Sequence, residues 1–212
     1  MKIESHLFDA WASNYESDII KKQNQYPFAG YFQIIDEIKK RIGSKAKHFL
    51  DLGVGTGFMA DQLFNSIPSD FYALDCSEQM VQFAKRRLNS DQVLQWDIAQ
   101  EVLPPSISHL KFDIILSAFT LHHFNDDQKI TILKTYLPHL SHQGQFIIAD
   151  ISFDDRAKWS HCKQKEGSNW DVSEEEGYFI ADEFMEKIEL SGISCQYTKV
   201  AYCTGIYVIH NN

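Results

Sequence analysis

Asp51-Leu52-Gly53-Val54-Gly55-Thr56-Gly57-Phe58 is the stretch on which the reading of this chain turns. It continues the short apolar run Phe49-Leu50, which has the length and composition of a buried strand. Three glycines at alternate positions then permit a tight turn and a close approach of backbone to a ligand. Thr56 to Phe64 reads as a helix, and the first turn of a helix presents N–H groups that have no intrahelical partner. A nicotinamide-type G-x-G-x-x-G fingerprint would need a small residue at position 58, and Phe58 stands there instead.

Outward from this turn, strand-like and helix-like segments alternate. Phe71 to Leu74, Val93-Leu94, Phe112 to Leu116 and Gln145 to Ile151 read as strands. Ser77 caps a helix whose Met80, Phe83, Ala84 and Leu88 recur at roughly helical spacing. Asn125 caps another, with Asp126 and Asp127 in its first turn and Ile130, Leu133, Tyr136 and Leu137 as its apolar stripe. A helix from Asp182 to Leu190 ends before Gly192, and Ser194 to Tyr202 and Gly205 to His210 close the chain as two strands around a Thr204-Gly205 turn. The alternation predicts an α/β protein with a mostly parallel sheet covered on both faces and a ligand site at the carboxyl ends of its strands. Residues 1–45, rich in aromatics, read as an N-terminal helical cap, and residues 46–212 as the main domain. Residues 152–178 form a polar and aromatic insertion too long for an ordinary connection, and the whole is expected to be one compact unit.

With 212 residues, 44% of them hydrophobic, the chain is large enough to bury a full core. Its four scattered cysteines, Cys76, Cys162, Cys195 and Cys203, fit reduced thiols in a cytoplasmic protein. The N-terminus has no apolar core of a signal peptide, and no apolar run has the length of a membrane span. A net charge of −9 argues against a broad nucleic-acid surface. The two basic clusters, Lys39-Lys40-Arg41 and Lys85-Arg86-Arg87, fall at expected helix C-termini, where the helix dipole favours them.

The motif from Asp51 to Phe58 resembles the first motif of the class I S-adenosylmethionine-dependent methyltransferase family, an acidic residue before a G-x-G-x-G loop. The likeness is to its small-molecule members, of the ubiquinone/menaquinone-biosynthesis or methyltransferase type 11/25 kind. The resemblance implies a Rossmann-like three-layer sandwich, with a seven-stranded, mostly parallel sheet whose last strand is antiparallel. It also implies S-adenosyl-L-methionine as cofactor, leaving as S-adenosyl-L-homocysteine. Asp51 would then orient the cofactor's amino group, and Gly53, Gly55 and Gly57, with Thr56, would lie under its methionine part. Asp75-Cys76-Ser77-Glu78-Gln79-Met80 matches the family's D-x-S-x-x-M pattern, so Asp75 would hold the ribose hydroxyls, with Cys76 beside it and Met80 near the adenine. Asp97 and Ile98 would meet the adenine amine and ring, and Ser117 would close the site at the end of the fourth strand.

Ser117 opens Ser117-Ala118-Phe119-Thr120-Leu121-His122-His123-Phe124, which resembles the S-x-x-x-L-H-H stretch of the small-molecule members. Neither the Asp/Asn-Pro-Pro-Tyr motif of amino-methylating nucleic-acid enzymes nor a Pro-Cys nucleophile is present. His122, His123 and Tyr15 are candidate catalytic residues, histidine because it titrates near neutral pH. Phe8 to Glu16 resembles the F-x-x-x-A-x-x-Y-D opening of such enzymes, with Glu16 for the usual aspartate. It offers Trp11 and Tyr15 to the acceptor. His122, Trp170 and Tyr178 complete the candidate acceptor pocket. Before the fifth strand, Leu140-Ser141-His142-Gln143-Gly144 departs from the usual Leu-x-Pro-Gly-Gly.

Glu166 to Glu186 carries eight acids and no lysine or arginine. One reading is a cap that attracts a cationic amine acceptor. The simpler one is a capping box, with Ser173 as N-cap and Glu176 three residues on. No His/Cys spacing makes a convincing metal site. The expected activity is methyl transfer by in-line displacement to a small-molecule acceptor, by a monomer or homodimer that binds neither membrane nor nucleic acid. The alternatives are an RNA or protein methyltransferase, and a non-catalytic S-adenosylmethionine-binding protein.

Overall fold

A computed structural model describes residues 14–64, 66–173 and 175–211. Among the described residues two helices come first, α1 (Tyr15–Lys22) and α2 (Tyr31–Arg41). There follow β1 (His48–Leu52), α3 (Phe58–Leu63), β2 (Asp70–Asp75), α4 (Glu78–Leu88), β3 (Val93–Gln95) and β4 (Phe112–Ala118). The second half holds α5 (Asp126–Tyr136), β5 (Leu140–Phe153), α6 (Arg156–Glu166), β6 (Phe179–Ile180), α7 (Ala181–Leu190), β7 (Gln196–Ala201) and β8 (Thr204–His210).

The strands lie in the order β3-β2-β1-β4-β5-β8-β7, with β6 paired to the end of β5. The β3–β2, β2–β1, β1–β4 and β4–β5 pairs are parallel, and β8 runs antiparallel to both β5 and β7. This is the expected Rossmann-like sheet with its last strand reversed. The two-residue β6 is an addition that a period-two pattern is too short to reveal.

Alternating side chains on each strand feed two cores. Phe49, Ile114, Leu116, Ile147 and Ala149 face Ile19, Tyr31, Ile34, Ile38, Met59 and Ala84 from helices α1 to α4. Leu50, Leu52, Ile115, Phe146 and Ile148 face Leu133, Tyr136, Phe184 and Ile188 from α5 and α7. Helices α1 and α2 therefore share the core of the sheet.

Local chemistry sets the helix ends. Ser77 Oγ accepts the Met80 N–H at 3.1 Å, and Asn125 with Gln128 forms a reciprocal capping box. Both basic clusters occupy last turns, of α2 and α4. Helix α3 starts at Phe58, later than expected from Thr56, because Gly55 and Gly57 take left-handed φ of 56° and 79°.

Two expectations are corrected. Ser173 does not cap an α-helix among the described residues: its hydroxyl and N–H both reach the Asp171 carboxylate, and residues 175–177 make a single 3-10 turn. The closing hairpin turns at Tyr202-Cys203, while Thr204 and Gly205 belong to β8. The four cysteines are free thiols. No helix among the described residues is long and apolar enough to cross a membrane.

Candidate active site

Because β1, β2, β3 and β4 are parallel, their carboxyl ends converge on one edge of the sheet, and a cavity opens there. Gly53 and Gly55 line it from the turn after β1, Asp75 and Cys76 from the end of β2, and Asp97 and Ile98 from the segment after β3. Phe119 and Thr120 enter from β4, Met80 from α4, and Tyr15 from α1.

Asp75 organises this edge. Its carboxylate accepts the Gly55 N–H at 2.8 Å and the Ser77 N–H at 2.9 Å, tying the glycine turn to the start of α4. A Cβ on Gly55 would meet nothing within 4 Å, so the turn faces open space there, whereas one on Gly53 would lie 2.3 Å from the Thr120 side chain. Behind the turn Asp51 is 3% exposed. Burial, then the neighbouring Asp75 charge, pushes its carboxyl up from 3.8 to about 7.

A second cavity of about 430 Å³ adjoins the first, and both are lined by Tyr15, Phe119 and His123. Tyr26, Phe28 and Tyr178 give it aromatic walls, with Asp18, Lys22 and Asp171 as charged groups. His122 faces it from the 3-10 turn Leu121–His123. Its Nδ1 lies 2.6 Å from Asp150 Oδ1, and Asp150, on β5, is fully buried. That carboxylate also accepts the N–H groups of Thr120, His122 and Ile151, at 3.2, 3.2 and 2.7 Å. Burial opposes the Asp150 charge, but the His122 ring, then the Ile151 N–H and the His123 ring, outweigh it and hold the carboxyl below its usual range.

Tyr15 sits where the cavities meet. Burial, reinforced by the charges of Asp150, Asp75 and Asp51, pushes its phenol far up, so it stays protonated. Glu16, next in sequence, pairs with Arg87 of α4 at 2.5 Å, and the Arg87 guanidinium lies over the Phe58 ring. This contact holds the start of α1 against the glycine-turn helix. Tyr26 hydrogen-bonds the Tyr178 hydroxyl and stacks on Trp170, with ring centroids 4.9 Å apart.

A family described as a methyltransferase domain matches residues 49–144. An uncharacterized methyltransferase of Bacillus thuringiensis (strain Al Hakam) is 30% identical over 153 residues, 71% of this chain and 68% of that protein. The chain belongs to the class I S-adenosylmethionine-dependent methyltransferases. A second uncharacterized methyltransferase, of Anoxybacillus flavithermus (strain DSM 21510 / WK1), is 28% identical over 75% of this chain and 74% of its own length. Among solved structures, the DhpI-SAM-HEP complex superposes with a TM-score of 0.71 at 20% identity, covering 99% of this chain and 97% of that one. The small RNA methyltransferase HEN1 superposes at 0.67 with 15% identity, over 86% of this chain and 25% of that one. At these identities both speak for the fold alone.

Of the residues assigned to the cofactor from sequence, the methyltransferase brings Gly53, Gly55, Asp75, Cys76, Met80, Asp97 and Ile98 together around the first cavity. Asp51, Thr56, Gly57 and Ser117 do not line it. Gly57 is instead needed for packing: its Cβ would press on Leu88 and Ala84 at 3.2 to 3.3 Å. Ser117 Oγ donates to the Leu52 carbonyl and joins β4 to β1. Thr56 Oγ1 is buried without a hydrogen-bond partner.

Of the acceptor candidates, Tyr15, His122 and Tyr178 line the second cavity. Trp170 backs Tyr26 from behind, and Trp11 lies outside the described residues. Tyr26, Phe28, Phe119 and Thr120 are lining residues that the sequence reading left unassigned. Phe119 and Thr120 fall inside the S-x-x-x-L-H-H stretch, so the motif itself was the available signal. Tyr26 and Phe28 were visible only as aromatics in the cap.

Proposed function

We propose that this methyltransferase transfers the methyl group of S-adenosylmethionine to a small molecule held in the second cavity. The observation that carries the reading is the meeting of two unlike cavities at Tyr15, Phe119 and His123. One is a glycine-and-carboxylate cradle, and the other is walled by aromatics.

The first cavity suits the cofactor. Gly55 leaves room for close backbone approach, Asp75 is fixed where it can accept two ribose hydroxyls, and Met80 with Ile98 gives a flat ring an apolar slot. Asp97 accepts the Ala99 N–H at 2.9 Å, which orients its carboxylate at the far wall, beside Ile98, for an adenine amine. Asp51 places a buried carboxyl behind the turn, and its ionised form would pair with a ligand ammonium. When bound, S-adenosylmethionine supplies a methyl on a positively charged sulfonium. The protein's part is to align donor and acceptor and to exclude water, a task that suits Tyr15 and Phe119 at the junction.

A small acceptor is favoured by the cavity's size and buried aromatic walls, and by the net charge of −9. The DhpI-SAM-HEP complex and the small RNA methyltransferase HEN1 both share this fold, so the fold by itself does not choose between them. Incubating the protein with cell extract and S-adenosylmethionine labelled in its methyl group tests the point. Label is expected in the low-molecular-weight fraction. Label confined to RNA or protein would overturn the small-molecule reading.

A further inference from the structure

We infer that the acceptor of this methyltransferase is an amine, bound in its ammonium form against the aromatic walls of the second cavity, and that Asp171 selects for it. The inference rests on the two-cavity reading above and deepens it by naming the acceptor's chemistry.

The acid-rich segment from Glu166 to Glu186 brings a carboxylate to this cavity. Glu175 pairs with Lys163 and Glu183 with Arg156, both partners lying on α6. Asp171 instead lines the second cavity. One of its oxygens accepts the Ser173 N–H at 2.9 Å and the Ser173 hydroxyl at 2.6 Å. Its own backbone N–H donates to the Tyr26 hydroxyl at 3.2 Å. The carboxylate is thereby fixed beside a ring that forms the wall.

The walls suit a cation. Tyr26 and Phe119 are buried and line the cavity, together with Tyr15, Phe28 and Tyr178. A ring face attracts a cation through its quadrupole, and the attraction grows where water is excluded. An anion entering the same space would give up its hydration and meet the negative ring faces.

The charges around the cavity lean the same way. Asp18 and Asp171 line it against Lys22, which is exposed in the last turn of α1. The His122–Asp150 pair is neutral with the ring protonated and negative without, since Asp150 stays ionised. His123 adds positive charge only when protonated. At the junction, the charges that bear on the Tyr15 phenol are those of Asp150, Asp75, Asp51 and Glu16, all carboxylates.

Such surroundings favour one kind of transfer. An anionic acceptor cancels the sulfonium charge as it reacts, so carboxylates at the junction would hold the ground state better than the transition state. An amine acceptor keeps the positive charge and moves it from sulfur to nitrogen, so the same carboxylates stabilise it throughout.

The step balances. The bound ammonium gives one proton to water at the cavity mouth. The nitrogen lone pair forms the new N–CH₃ bond as the methyl–sulfur bond breaks, and that electron pair stays on sulfur as a neutral thioether. The product leaves as a methylated ammonium.

The test uses the full chain saturated with S-adenosylhomocysteine, whose binding is measured first by calorimetry in the same sample. Three guests with the same ring are then titrated in: benzyltrimethylammonium, a permanent cation that cannot be methylated, benzyl alcohol and phenylacetate. The cation is expected to bind at least about tenfold more tightly than the alcohol, and phenylacetate should not displace it. Asp171→Asn, which keeps an oxygen for Ser173, should weaken the cation about threefold and leave the alcohol unchanged. Tyr26→Leu should weaken the cation more than the alcohol, with S-adenosylhomocysteine binding as the control for folding. Preference for the alcohol or for phenylacetate, equal binding of cation and alcohol, or an Asp171→Asn variant that leaves the cation unchanged or weakens both guests alike would overturn the inference and leave the two-cavity reading standing. Binding of S-adenosylhomocysteine but of no guest would overturn the inference together with the role of the second cavity. Failure to bind S-adenosylhomocysteine would overturn the cofactor reading as well.

Discussion

At the scale of single residues, Asp51 makes the sharpest demand on solution behaviour. Its carboxyl is pushed from 3.8 to about 7, first by burial and then by Asp75. Between about pH 4 and pH 7 the folded chain therefore holds a proton that the unfolded chain has released. This group makes the ligand-free protein less stable as pH rises through that window. A bound ammonium reverses the balance by favouring the ionised form. Affinity for S-adenosylhomocysteine should rise with pH by up to about tenfold per unit below 7 and level off above it. Calorimetry across that range measures the slope, and Asp51→Asn should flatten it. An unchanged slope in the variant would remove Asp51 from the account. The residue scale also shows where motif reading stops. Gly57 and Ser117 belong to the quoted motifs, yet their places are explained by Ala84 and Leu88, and by the Leu52 carbonyl. A motif records which residues recur in a loop, without separating those that face a ligand from those that pack behind it.

At the scale of elements, two contacts hold the walls of the site. The Glu16–Arg87 pair is partly exposed, and such pairs contribute about 0 to 1 kcal/mol to stability. Glu16→Gln should thus barely change the melting temperature. It should still weaken S-adenosylhomocysteine binding several-fold, because the pair holds the start of α1 and with it Tyr15. Equal affinity in the variant and the parent would show that α1 is held by its apolar face alone. Gly177 is the second contact: a Cβ there would fall 1.7 Å from the His122 carbonyl oxygen, a backbone atom that has little room to yield. Gly177→Ala should cost about 1–3 kcal/mol, seen as a lower melting temperature, while S-adenosylhomocysteine binding is largely kept. An unchanged melt would contradict this packing.

The same segment shows why some elements were illegible. Ser173-Glu174-Glu175-Glu176 has the spacing of a capping box but no apolar stripe after it, and the chain goes instead into β6. That strand exists only because Ser152 and Phe153 lie alongside Phe179 and Ile180. Such a long-range pairing leaves no local periodicity to read. The capped helices α4 and α5 were legible because each carries its own cap and its own stripe.

At the scale of the whole molecule, the order of strands and helices was written in the alternation of apolar periods, and the reversed final strand followed from the resemblance. The edge proposed for the cofactor was equally legible, since parallel strands bring their carboxyl-end motifs together. The second cavity, proposed for the acceptor, was legible only in part: Tyr15, His122 and Tyr178 line it as expected, while Tyr26 and Phe28, from the stretch between α1 and α2, carried no motif that marked them. The His122–Asp150 contact spans the β4–β5 crossover, and no local pattern within the strand read over Gln145 to Ile151 marks Asp150 as its partner. The central claim is that the edge built around Gly55 and Asp75 holds S-adenosylmethionine. Calorimetric titration with S-adenosylhomocysteine, set beside Asp75→Ala, tests it most directly. The account predicts one micromolar site per chain, weakened by at least about a hundredfold (roughly 2.7 kcal/mol) in the variant. A folded parent protein that binds no S-adenosylhomocysteine, or a variant that binds it equally well, would contradict it.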